Sequence, residues 1–319
     1  MTNMKKLGLT ALAGSLVATS AYAGSLDVSG TAKLTYVSQD ADEVTGNPFS
    51  NSQGIGFSGS GDLDNGMTIK YGYTMTNAAF SSSTLKLDMG DAGELSYADS
   101  ASPTGISAYD DVMPTAGEEV WDDVAGEANG VAVIENDGTL GYKGTFGGIG
   151  ISASFNADSN LNDGAAADET GGSSYSVVLT SGDLIDGVEL GYGIGSADTQ
   201  SPTGSDANDL NTIFAKYTMG AITMGAQYTS IDKSGANSDI ERMHYAVSMA
   251  INENLSASIG SSTVDFDNSA KSDQENTGIA VSYTMGSMTL SAFQNNEDSS
   301  NGSAGSDDKV SEISLAFAF

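Results

Sequence analysis

From Leu26 onward the chain alternates apolar and polar positions with a period of two. Leu26, Val28, Ala32, Leu34 and Tyr36 share one parity, and Asp27, Ser29, Thr31, Lys33 and Thr35 share the other. Successive side chains of a strand point to opposite faces, so the pattern predicts a strand with one apolar and one polar face. It recurs through Ile55–Phe57–Leu63, Met67–Met75, Leu85–Met89 and Leu95–Tyr97. After a break it resumes at Leu140–Phe146 and Ile149–Phe155, then Tyr175–Leu179, Val188–Ile194, Ile213–Met219 and Ile222–Tyr228. Met243–Ile251, Leu255–Ile259, Ile279–Met285, Met288–Ala292 and Ile313–Phe319 complete the series. The count is sixteen strands, an even number.

The connections alternate in length. Short turns such as Asp64-Asn65-Gly66 and Gly147-Gly148 follow the even strands, as tight hairpins require. Longer polar loops follow the odd strands, and all four prolines fall in them. Proline cannot donate to a strand ladder, so its exclusion from the strands supports the assignment. The apolar face is lightly filled with Ala, Gly, Val and Met. Phe146, Tyr217, Tyr283 and Phe319 lie near the short-turn edge, with Tyr36, Phe155, Tyr175, Tyr228 and Tyr245 toward the other. Two aromatic bands around a modest apolar belt fit a lipid interface better than the core of a soluble sandwich.

The first residues agree with that destination. Lys5 and Lys6 precede the apolar run Leu7–Ala18, and Ala21-Tyr22-Ala23 is a small-x-small cleavage signal. Residues 1–23 read as an export leader and 24–319 as the mature chain. The apolar run is too short for a spanning helix, which needs about 20 residues. An exported chain that enters a membrane without such a helix must close its sheet, because hydrocarbon satisfies no backbone group. The expected fold is therefore an all-β, sixteen-stranded antiparallel transmembrane barrel.

Charge narrows the partners. Taking Lys5 and Lys6 from 11 basic residues leaves 9 against 42 acidic ones, a mature net charge of −33. That excludes nucleic acid, whose phosphates need basic clusters, and suits attraction of cations. There are no cysteines, hence no disulfide or thiolate metal site.

These features together resemble a general porin of the Gram-negative outer membrane, most like the alphaproteobacterial, Rhodobacter-like type. The resemblance covers the mature chain and rests on the leader, the strand count, the alternating loop lengths and the C-terminal strand ending in Phe319. It implies a homotrimer in contact with outer-membrane lipid and lipopolysaccharide, passing small hydrophilic solutes and ions passively, without enzymatic activity. It also gives a place to the one long segment without a strand pattern, residues 100–137, which follows the fifth strand as the family's pore-constricting loop does.

That segment carries nine acids and no Lys or Arg. Asp110, Asp111, Glu118, Glu119, Asp122 and Asp123 are the expected lining of the constriction, favouring cations. Lys33, Lys70, Lys86, Lys143, Lys216 and Arg242 share the lumen-facing parity and are the expected basic pore wall, set across from the acids. No cofactor is expected. Carboxylate clusters of this kind suit a hard cation such as calcium, which is assigned to no residues. Asp62-Leu63-Asp64-Asn65-Gly66 fails the calcium-loop spacing, and Gly54, Gly56 and Gly59 precede no helix, so neither is a ligand motif. His244 has no catalytic surroundings and reads as a lumen-facing polar residue. Two other functions fit the same barrel: a substrate-selective channel, and a structural or adhesive surface protein. Loops rich in Asp, Asn and Ser but poor in aromatics count against adhesion.

Overall fold

A computed structural model describes residues 26–39, 47–100, 102–127, 130–131, 138–157, 171–201, 204–233 and 235–319. The expected leader lies outside them. The described chain forms a closed antiparallel barrel of sixteen strands, each paired with its neighbours in sequence. The strands are β1 (Asp27–Gln39), β2 (Phe49–Asp62), β3 (Thr68–Thr76), β4 (Ala79–Asp88), β5 (Glu94–Asp99), β6 (Thr139–Phe146), β7 (Ile149–Asn156) and β8 (Gly171–Ile185). They continue as β9 (Val188–Ser201), β10 (Gly204–Met219), β11 (Ile222–Asp232), β12 (Ile240–Ala250), β13 (Leu255–Phe266), β14 (Gln274–Met285), β15 (Met288–Asp298) and β16 (Asp308–Ala318). Closure comes from β1 pairing with β16, in register from Thr31↔Ala318 to Gln39↔Val310. Gly30 and Phe319 exchange both backbone bonds, N–H to O, at 2.6 and 2.9 Å.

The alternation read from sequence sets which face each strand turns outward. Leu34, Ile213, Tyr245, Ile279 and Ile313 are each more than half exposed, while inward neighbours Phe214, His244 and Asn276 are buried. This inverts a soluble core: the apolar parity faces out, and the polar parity packs inside. A one-residue slip would turn lysines toward lipid, so the register is strongly specified.

Two connections differ from the alternation of short and long. β3 and β4 are joined by Asn77 and Ala78 alone, both with positive φ (51° and 66°). That is the geometry of a two-residue hairpin, so this odd strand is followed by no long loop. The polar stretch between Ile194 and Ile213, expected as a loop, is instead mostly a continued ladder, from Gly195↔Leu210 to Ser201↔Gly204. Beyond the apolar belt a ladder needs only paired backbone groups, not an apolar face, so hydrophobic periodicity does not mark it.

Candidate functional site

The described part of the chain between β5 and β6 enters the barrel and runs along its inner wall. A single 3-10 turn, Ile106–Tyr109, begins it. Gly105 N–H donates to Ser152 Oγ on β7 at 3.0 Å, and Ile106 N–H to Ser176 Oγ on β8 at 2.7 Å. Tyr109 stacks on Phe214 of β10, ring centres 5.8 Å apart, and Gln227 of β11 donates to its carbonyl. Ala116 N–H reaches Ser258 Oγ on β13. Asn295 on β15 donates Nδ2 to the carbonyls of Glu119 and Asp122 at 2.7 and 3.0 Å. Ala125 N–H reaches Asp308 on β16, and Gln39 on β1 donates to the Asp123 carbonyl. The loop thus tracks from β7 round to β1, and among the described residues none of these contacts joins it to β2, β3 or β4.

Glycines at inward parity let its backbone lie close. A Cβ at Gly225 would stand 2.6 Å from Pro114, and one at Gly260 or Gly278 would stand 2.8 or 3.0 Å from Val120. These are closer than real Cβ contacts, so Val120 sits in a notch that only glycines leave open.

The expected acids separate into two groups. Asp110 turns back into the loop, where its Oδ1 accepts from Val131 N–H at 2.6 Å. Burial pushes it up to about 6 despite that bond. It braces the loop instead of lining a passage. Asp111, Glu118 and Glu119 border a polar cavity of about 600 Å³, with Thr223, Ser248 and Lys216 on the wall side. Glu118 and Asp123 are exposed. Glu119 N–H donates to Asp122 Oδ2 at 2.7 Å. Burial, and then repulsion from Asp111 and Asp122, pushes Glu119 up to about 8. Burial likewise raises Asp122 to about 6, and raises Asp123. Oxygens of Glu118, Glu119 and Asp122 lie within 4.8 Å of one another. This is the tightest acidic group among the described residues, but acidic loops commonly hold such groups without an ion, and calcium gains no assigned site.

The expected basic wall does not stand free. Lys33 pairs with Glu312 at 2.9 Å and lies 3.8 Å from Glu118. Lys70 pairs with Asp88 at 2.8 Å and approaches Glu94, which Lys86 holds at 2.9 Å. Lys216 pairs with Glu189 at 3.0 Å. Lys143 is exposed on the inner face, opposite Glu94 in register. Arg242 departs furthest from the expectation. It lies behind the loop, 5% exposed, with its Nη2 2.7 Å from Glu127. The wall lysines are therefore largely matched by wall carboxylates, while the loop's outer acids meet one cation, Lys33, among the described ion pairs. Sequence reasoning passed over those wall carboxylates and the loop-docking polar groups. The usable signal was glycine and amide residues at lumen parity on successive strands: Gly225, Gln227, Gly260, Gln274, Gly278 and Asn295.

The family model for Gram-negative porin matches residues 8–319. The structure is similar to an anion-selective porin from Comamonas acidovorans: TM-score 0.68, 16% identity, over 93% of this chain and all of that one. A variant of the Rh. blastica porin aligns with TM-score 0.63 and 12% identity, over 92% of this chain and 100% of the other. A loop-deleted OmpT of Vibrio cholerae aligns with TM-score 0.65 and 12% identity, over 93% and 99%. Among curated proteins none matches. At these identities the structural likenesses establish the fold, and they single out no alphaproteobacterial subtype.

Proposed function

The chain belongs to the Gram-negative porin family, and from that membership we propose that it is a general diffusion porin whose inner loop narrows the lumen and favours cations. The family and the barrel make it a channel of the outer membrane. The proposal adds passive passage of small hydrophilic solutes, assembly as a homotrimer in lipid and lipopolysaccharide, and export by a cleaved leader. It also adds the sign of the selectivity.

One observation carries that sign. The loop turns Asp111, Glu118, Glu119 and Asp123 toward the open side, and most of the wall lysines already hold carboxylates. Lys33 alone pairs with these outer acids among the described ion pairs, and Glu119 adds its charge as pH passes about 8; a water-filled lumen edged by carboxylates in such excess raises the local concentration of cations. The anion selectivity in the Comamonas protein's name belongs to that protein. At 16% identity the charges lining the two pores are independent of the shared fold.

The test is a variant carrying Asp111→Asn, Glu118→Gln, Glu119→Gln and Asp123→Asn, refolded and inserted in a planar bilayer under a KCl gradient. Its reversal potential should move toward the anion side relative to the parent. An unchanged potential would remove the loop's role.

A further inference from the structure

His244 lies on the inner face of β12, 1% exposed, and the loop grips its ring in two places. The Trp121 indole stacks on the imidazole, with ring centres 3.9 Å apart and planes inclined by 27°. From farther along the loop, Gly130 N–H donates to Nε2 at 3.2 Å. A neutral histidine that accepts at Nε2 carries its proton on Nδ1. That Nδ1 is buried and has no hydrogen-bond partner among the described residues. An unpaired buried donor is a cost to folding, so the ring is poorly explained as a polar residue that merely faces water. Its flat face and its single acceptor are both spent on the loop.

We propose that His244 is the positioning residue of the inner loop, a clamp that fixes how far the acid-bearing segment stands from the barrel wall by closing on Trp121 and Gly130 together. Neighbouring contacts act in the same direction. Arg242, on the same face of β12, holds Glu127 at 2.7 Å. Val120 sits in the notch left by Gly260 and Gly278. Glu119 and Asp122 flank the Val120-Trp121 pair in sequence, so the height of Trp121 above β12 sets where their carboxylates hang. The positional half of the inference is independent of the pore-narrowing reading; only its consequence for conductance rests on that reading.

Trp121 is the only tryptophan in the chain, so its fluorescence reports the clamp alone. The experiment uses the full mature protein, refolded, with His244→Ala, His244→Gln and His244→Phe. Emission maximum, iodide quenching and single-channel conductance are read on each, and heat-modifiable migration verifies barrel closure. His244→Ala should shift emission to the red, raise quencher access severalfold and enlarge the conductance step. His244→Gln keeps an acceptor without the stack and should free Trp121 too. His244→Phe keeps a flat ring without the acceptor and should restore most of the Trp121 protection. Trp121 emission and quenching unchanged in a closed His244→Ala barrel would overturn the proposal. If the alanine variant does not close, the same result in His244→Gln overturns it. A freed Trp121 with unchanged conductance supports the clamp and refutes pore narrowing.

Discussion

Raising the bath from pH 5 to pH 9 should make the channel more cation-selective, in two steps. An ordinary carboxylate is already mostly ionised at the lower limit and fully so by about pH 6.5, so a lumen lined by ordinary acids would show little change, and none above neutrality. Here Glu119 titrates near 8 and Asp122 near 6, because both are partly buried and crowded by other acids. The crowding alone has the right size. Two unit charges no more than 4.8 Å apart, in surroundings of effective dielectric about 20, repel by roughly 3.5 kcal/mol or more, equivalent to about 2.5 pH units or more. Burial is the larger cause for both groups and adds to this. The pair therefore gains up to two negative charges between pH 5 and pH 9, the second well above neutrality. The assay is the zero-current potential across a bilayer under a fixed KCl gradient, stepped through that range. Glu119→Gln should remove the upper step and leave the lower one. The linkage has a definite sign. Folded-state values are raised, so the docked loop is most stable below the ordinary glutamate range and loses that stability as pH climbs through about 8. Trp121 quenching should rise over the same interval. A potential flat from pH 5 to pH 9 would mean that neither carboxyl titrates in the passage.

Three further outcomes follow from single contacts. Lys33→Met removes the cation between Glu312 and Glu118 and should push the reversal potential further toward the cation side, with the barrel still assembled. Gly260→Leu places carbon where Val120 now lies; such overpacking costs about 1–3 kcal/mol, and the loop should yield before the ladder does, seen as an altered conductance step in a closed barrel. Deleting Phe319 removes both backbone bonds to Gly30 and should slow or reduce barrel closure, measured as loss of heat-modifiable migration during refolding.

The barrel was legible because its physics is periodic. Each strand such as Met243–Ile251 must show lipid one parity and the lumen the other, and that requirement is written residue by residue. The exceptions lie where periodicity carries no information. At Asn77-Ala78 a pair of left-handed residues makes a hairpin that an Asn-Gly would have announced. From Asp198 to Asp209 neither parity of the sequence carries a large apolar residue, so a strand there leaves no apolar trace. The inner loop's acids were visible as composition, but their division was not. Asp110 is set apart from its neighbour Asp111 by burial and by the Val131 N–H that returns to it from twenty-one residues away. Lys33, Lys70 and Lys86 read as a basic wall because their partners Glu312, Asp88 and Glu94 sit at other heights on adjoining strands, which only the register reveals. His244 was read from its lack of a motif, and its stack with Trp121 depends on how a long non-periodic segment folds back.

On the proposed reading, an acid-edged loop sets the charge of the passage. The most direct measurement is the reversal potential of the parent protein near pH 8 in a tenfold KCl gradient, recorded from single insertions. A potential of the sign carried by potassium, growing as ionic strength falls and screening weakens, is the expected result. A potential of the chloride sign would rule this out, because the lysines of the wall would then govern the pore.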